Sequence, residues 1–160
     1  EMETSSGDLA GQEQVRVFES VREAVEFLST TEGKILITTG SKELKEYTKI
    51  GNYQERCFAR VLSTKAAVEE SVRLGFEGKH LIAMQGPFSE EMNLALLHQT
   101  RARYFVTKES GKAGGFEEKL KAAKNAGAVL IVIGRPQEIG RSVQEVCHFI
   151  ESSFVKKEQE

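Results

Sequence analysis

Ile35-Leu36-Ile37-Thr38-Thr39-Gly40-Ser41 is an apolar run that ends in a small-residue turn and opens a helix-like segment. The same joint recurs at Leu81-Ile82-Ala83-Met84-Gln85-Gly86-Pro87-Phe88-Ser89 and at Tyr104-Phe105-Val106-Thr107-Lys108-Glu109-Ser110-Gly111. Val129-Leu130-Ile131-Val132-Ile133-Gly134-Arg135-Pro136 ends on a similar loop. Short runs that are apolar throughout are what strands buried on both faces require. Their alternation with helix-like segments implies βαβ units and a parallel sheet. Right-handed crossovers then bring the strand-to-helix loops to one edge, where ligands of such sheets bind.

Working outward, Ser20 and Glu23 form a capping box for a helix over 20–29, with Val21, Ala24, Val25 and Leu28 on one face. Gly33 breaks it before a strand over 34–38, and Ser41 is expected to cap a short helix over 42–47. The next strand spans 57–62. Ser63 or Thr64 caps a helix through residue 73, with Ala67, Val68, Val72 and Leu74 inward. A strand over 80–84 follows, then a helix from Ser89 with Met92, Leu96 and Leu97 inward. The strand 104–107 leads through a glycine-rich loop to a helix over 116–125, closed by Gly127. The last strand covers 128–133, and Ser142 with Glu145 caps a carboxyl-terminal helix ending near residue 155. Residues 15–18 alternate like a short strand, and 1–14 read as a polar linker or tail. The predicted fold class is therefore α/β: a Rossmann-like parallel sheet of about five strands with helices on both faces, over residues 15–160.

A chain of 160 residues fits one domain. Its 22 basic and 24 acidic residues leave a net charge of −2, which argues against a nucleic-acid or anionic-membrane binder. No apolar stretch approaches the roughly 20 residues that span a bilayer, and no signal-peptide pattern opens the chain, so a cytoplasmic location is expected. The first residue is Glu1 rather than Met, as expected of a piece of something longer. Cys57 and Cys147 form no CxxC pair and lie in apolar patterns, which reads as buried thiols. His80, His98 and His148 show no ligand spacing, so no metal is expected. No GxSxG elbow or Cys/His nucleophile is visible.

The chemistry therefore belongs to the loops. Thr38-Thr39-Gly40-Ser41 can place a glycine, hydroxyls and a helix start around an anion. It matches neither GxGxxG nor GxxxxGKS, and a plain structural turn stays open as a reading. Gln85-Gly86-Pro87-Phe88-Ser89 places an amide at the ligand edge, or is simply a rigid turn. Thr107-Lys108-Glu109-Ser110-Gly111-Lys112-Ala113-Gly114-Gly115 concentrates glycines, lysines and hydroxyls in a way that suits a diphosphate or a carboxylate-rich ligand. That loop is expected to close over anionic groups, with Lys108 nearest the strand end. Lys119 could face the same place. Arg56 and Arg60 are expected on one face of a strand, either binding acidic groups or pairing with local glutamates.

Taken together, these loops resemble the precorrin-6A reductase family of cobalamin biosynthesis. The resemblance rests on Leu36-Ile37-Thr38-Thr39-Gly40-Ser41-Lys42, Phe58-Ala59-Arg60-Val61-Leu62, Gln85-Gly86-Pro87-Phe88-Ser89 with Asn93, residues 107–115 with Glu117-Glu118-Lys119, and Gly134-Arg135-Pro136. It covers residues 33–136, and the extension over 138–160 goes beyond it. It implies an oxidoreductase that transfers hydride from NADPH or NADH to a double bond of a corrin-forming tetrapyrrole, bearing cobalt in the anaerobic branch. It also implies two Rossmann-like domains with the active site between them, this chain being the carboxyl-terminal one and its amino-terminal domain the missing partner. On that reading Thr38, Thr39, Gly40, Ser41, Gln85, Gly86, Thr107, Lys108, Ser110, Gly111, Gly114 and Gly115 hold the cofactor. Arg60, Pro87, Phe88, Lys112 and Lys119 meet the substrate. Lys42, Lys112 and Arg135 are candidates for a 2′-phosphate. The alternative is a module that holds a nucleotide or tetrapyrrole without chemistry, and a third reading is a structural α/β domain used for association.

Overall fold

The structure is a computed structural model and describes residues 14–109 and 115–134. The expected tail, the carboxyl-terminal helix, Cys147 and residues 110–114 lie outside that range.

The strands are β1 (Val15–Phe18), β2 (Lys34–Ile37), β3 (Cys57–Val61), β4 (Leu81–Ala83), β5 (Ala102–Lys108) and β6 (Val129–Ile133). All pair in parallel, in the order β1-β6-β5-β2-β3-β4. The sheet thus has six strands rather than about five. The sixth is β1, which lies at the edge with Val15 opposite Leu130 and Phe18 opposite Ile133.

The longer helices are α1 (Val21–Leu28), α4 (Lys65–Arg73), α5 (Glu90–Thr100) and α6 (Phe116–Ala126). Two single-turn helices, α2 (Leu44–Tyr47) and α3 (Tyr53–Arg56), lie between β2 and β3. Side-chain caps set three of the starts. Ser20 Oγ accepts from Glu23 N at 3.2 Å, and Glu23 Oε2 accepts from Glu19 N at 3.1 Å. Thr64, not Ser63, caps α4 by accepting from Ala67 N at 3.2 Å. Ser89 caps α5 by accepting from Met92 N at 3.1 Å. Each bond satisfies an N–H that the helix itself cannot.

Three local expectations are corrected. Ser41 does not cap a helix; it begins a 3₁₀ turn over Ser41–Glu43, before α2. Val72 is exposed, and Ser71 takes the inward place four residues after Ala67, its hydroxyl donating to Ala67 O at 2.7 Å. Met92 is exposed as well, because the inward stripe of α5 runs through Asn93, Leu97 and Thr100. In both helices the i, i+4 spacing held while the inward residues were partly polar.

The sheet divides the core into two layers. One gathers Ile35, Ile37, Cys57, Ala59 and Val61 with Leu28, Leu44 and Tyr47. The other gathers Leu36, Phe58, Phe105, Leu130 and Val132 with Leu97 of α5 and Leu120 of α6. Strand alternation fixes this division: successive residues of β3 point to opposite faces.

Candidate functional site

The strand order reverses at β2. From there the chain steps outward through β3 and β4, and β5 then returns to the other side of β2. The carboxyl ends of β2 and β5 flank this switch point, the place where open α/β sheets hold ligands.

Backbone and hydroxyl groups fix the β2 lip. Thr38 N donates to Val106 O at 3.0 Å, and Thr38 Oγ1 donates to the same oxygen at 2.6 Å. Thr39 Oγ1 shares a hydrogen bond with Tyr47 Oη at 3.0 Å. Tyr47 is fully buried, and burial pushes its phenol well above the ordinary range, so it is a neutral partner. Gly40 then turns with φ +94°, which L side chains rarely adopt. A Cβ there would meet nothing within 4 Å, so the turn presents bare backbone to open space.

The β5 lip is charged. Lys108 Nζ donates to Glu43 Oε1 at 2.5 Å, tying the two lips together across the switch point. Glu109 is buried; its N–H donates to Ile133 O at 2.9 Å and its carboxylate accepts from Lys119 Nζ at 2.9 Å. Thr107 is buried inside the strand end. Gly115 starts α6 with φ +85°. Ser110, Gly111, Lys112 and Gly114 lie outside the described residues, as does Arg135.

The neighbouring half of the edge is built around Arg60, the next-to-last residue of β3. Its Nη1 donates to Asn93 Oδ1 of α5 at 2.7 Å, and its guanidinium carbon lies 3.6 Å from the centroid of Phe88. Arg60 is 6% exposed and Asn93 1%. Burial brings the arginine down to about 10, so it stays charged at neutral pH. Phe88 is half-buried; Gln85, Gly86 and Pro87 before it are exposed, with the Gly86–Pro87 peptide cis.

The two arginines expected on one strand face separate. Arg56 belongs to α3 and donates to Gly33 O, Leu28 O and Thr31 Oγ1, bracing the opposite edge of the sheet. Neither it nor Arg60 pairs with a glutamate among the described residues. Three participants escaped the sequence reading: Glu43, Tyr47 and the buried role of Glu109. Only position could have flagged Glu43, two residues after the β2 turn. Cys57 is an inert core thiol, pushed by burial up to about 12. Among the described residues no group of three or more His, Cys, Asp or Glu could hold a metal ion. No helix there is long and apolar enough to cross a membrane.

Comparison with known proteins gives a consistent picture. The family model of "Precorrin-6x reductase CbiJ/CobK" matches residues 3–151. A cobalt-precorrin-6A reductase of Priestia megaterium is 40% identical over 132 residues, which cover 79% of this chain and 52% of that protein. The protein of the same name from Salmonella typhimurium is 38% identical over 117 residues, covering 73% and 44%. A shorter match to the Methanothermobacter thermautotrophicus protein reaches 48% over 83 residues, 52% of this chain and 28% of the other. The chain thus spans about half or less of the curated relatives it matches. Among solved structures, CobK precorrin-6A reductase superposes with a TM-score of 0.58 at 19% identity, over 78% of this chain and 48% of the other. That likeness bears on the fold. The family match covers nearly the whole chain and crosses every loop described above: this chain belongs to the precorrin-6x reductase CbiJ/CobK family.

Proposed function

We propose that this chain is the carboxyl-terminal domain of a two-domain precorrin-6A or cobalt-precorrin-6A reductase, and that it forms one wall of the cleft where a nicotinamide cofactor reduces a double bond of the macrocycle. Two facts support the two-domain part: the match runs through nearly all of this chain, yet covers only about half of relatives named for the reaction.

The observation that carries the cofactor part is the bare turn at Gly40. Its positive φ and open surroundings let a phosphate oxygen approach the backbone where a side chain would stand. The donor set fits a phosphate too. Thr39 holds a hydroxyl beside the turn, and Lys108 offers a cation at the facing strand end. When bound, the nicotinamide supplies the hydride; the protein's part is orientation and charge. Thr39, anchored on Tyr47, keeps the turn in place. Lys108 neutralises anionic charge by exchanging Glu43 for the ligand. Lys42 at the same turn is exposed and is a candidate for a 2′-phosphate, which would favour NADPH over NADH.

Calorimetric titration of NADPH and NADH tests this. Gly40→Val should weaken binding by about tenfold or more, equivalent to about 1.4 kcal/mol. Equal affinity of variant and parent removes this turn from the site. The two-domain reading is tested by comparing kcat/KM of this chain and of the full-length reductase on the same substrate. Losing one wall of the cleft forfeits much of the positioning on which catalysis depends, so comparable values would overturn it.

A further inference from the structure

Two threonine hydroxyls precede the Gly40 turn, and the structure treats them differently. Thr38 spends both of its donors on one carbonyl: its N–H and its O–H donate to Val106 O at 3.0 and 2.6 Å. A hydroxyl has one proton to give. Thr38 therefore braces β2 against β5 and has no donor left for a ligand. Thr39 makes a different contact, a 3.0 Å hydrogen bond to Tyr47 Oη in which the distance alone allows either oxygen to donate.

Burial decides the direction. Tyr47 is fully buried at the end of α2, and among the described residues Thr39 Oγ1 is the one hydrogen-bond partner of its hydroxyl. Were Thr39 the donor, the phenolic proton would lie in the core without an acceptor, a costly state that native proteins rarely keep. With Tyr47 as the donor, that proton is satisfied. The Thr39 proton then stands at the half-buried turn, where water or a ligand accepts it. Burial also holds the phenol neutral far above its ordinary range, so its proton stays available to Thr39.

We propose that Tyr47 is a positioning residue of the Gly40 turn: its hydroxyl donates to Thr39 Oγ1 and so aims the Thr39 O–H at an acceptor oxygen of the ligand. The proposal rests on the reading of this turn as a phosphate site and deepens it, because it names which hydroxyl meets the ligand and what orients it. The bonds from Tyr47 to Thr39 and from Thr39 to the ligand run in one direction, so each polarises and strengthens the next. A site arranged in this way selects an oxygen without a proton, as on an ionised phosphate. Thr38 belongs to the frame of the turn rather than to its ligand contacts.

Tyr47→Phe deletes one oxygen, keeps the ring in the core and frees the Thr39 hydroxyl to turn away. Calorimetric titration of NADPH, with melting temperatures taken alongside, is read as a double-mutant cycle with Thr39→Val. Tyr47→Phe should weaken NADPH by about three- to tenfold, and Thr39→Val by at least as much. In the Thr39→Val background, Tyr47→Phe should change the affinity by about twofold or less, because no hydroxyl is left to aim. A residue that merely props the turn would lower the melting temperature and cost the same affinity in both backgrounds. That equal cost overturns the proposal, as does a Tyr47→Phe protein that binds NADPH like the parent. Gly40→Val keeps the two readings apart. If it weakens NADPH while Tyr47→Phe does not, the phosphate turn stands and the role of Tyr47 alone falls. A parent that does not bind NADPH overturns both.

Discussion

The two faces of β3 treat buried polar groups in opposite ways. On the face of Cys57, Ala59 and Val61, the buried side-chain hydroxyls are neutral and paired. Tyr47 Oη meets Thr39 Oγ1, Ser71 Oγ meets Ala67 O, and the Cys57 thiol holds its proton. On the face of Phe58 and Arg60, a cation is buried beside a neutral amide that is itself half-satisfied. Both faces exclude water to a similar degree, so exposure does not separate them. One face is a finished core, and the other holds a buried cation with no counter-charge among the described residues. A contrast exists within the second face too. Lys119 and Glu109 form a closed pair there, with side chains 22% and 8% exposed.

That contrast predicts unequal costs for removing two cations from the same face. Lys119→Met strands the buried Glu109 carboxylate, and breaking a buried pair in this way costs about 3 kcal/mol. Arg60→Met removes a cation that has no anion to strand among the described residues and fills the space with an apolar chain of similar length. Relief of the buried charge is offset by the Asn93 Oδ1 left unpaired, so the stability of the domain should change by less than about 1 kcal/mol. Urea denaturation of the two variants and the parent measures both. A destabilising Arg60→Met of the same size as Lys119→Met would mean that Arg60 is a structural strut and that the two faces do not differ in kind.

The sequence reading reached what local pattern controls. The strands, the caps at Ser20, Thr64 and Ser89, and the loops at the carboxyl edge all depend on residues within a few positions of one another. It lost whatever depends on the third dimension. Arg60 and Asn93 are 33 residues apart, and Lys108 and Glu43 are 65 apart. The sequence left open whether Arg60 binds an acidic group or pairs with a local glutamate, and it offered no partner for Lys108; only the fold decides which cation is neutralised internally. The inward stripes of α4 and α5 misled for a related reason. Ser71, Asn93 and Thr100 are polar residues that each make a hydrogen bond where they are buried, and hydrophobic periodicity cannot see them. Arg56 was expected to share a strand face with Arg60 and instead ends a one-turn helix after Asn52, whose φ of +61° marks the break.

The finished face can be tested through its titration. Burial raises the Cys57 thiol from 9.0 to about 12. Between those values the unfolded chain releases the proton while the folded chain keeps it. The unfolded state then binds fewer protons, so stability falls as pH rises above 9, with a slope of at most about 1.4 kcal/mol per pH unit from this one group. Below pH 9 the contribution is fully present. Tyr47, shifted in the same direction, adds to the loss at higher pH. Cys57→Ala should start from lower stability, because it leaves a small cavity, yet show a shallower decline from pH 9 to 10.5. Parallel slopes for parent and Cys57→Ala would place the alkaline loss elsewhere and remove this thiol as a marker of the dry face.

The smallest effects belong to the pair at the switch point. Lys108 and Glu43 have side chains 55% and 31% exposed, and ion pairs this open contribute about 0.5 kcal/mol or less to stability. Their interest lies in exchange: a ligand phosphate at Gly40 would compete with Glu43 for the same ammonium group. Lys108→Ala should therefore barely move the urea midpoint while weakening dinucleotide binding by about 1 kcal/mol, a partly screened charged contact. Glu43→Gln should do the reverse and tighten binding slightly, because the internal competitor is gone. Both changes should shrink as salt rises, since the groups lie within reach of mobile ions. Titrations of both variants at low and high ionic strength measure that screening. If Lys108→Ala binds NADPH and NADH like the parent, and Glu43→Gln leaves binding unchanged, the pair is a strut between the lips of the switch point and Lys108 has no part in holding the cofactor.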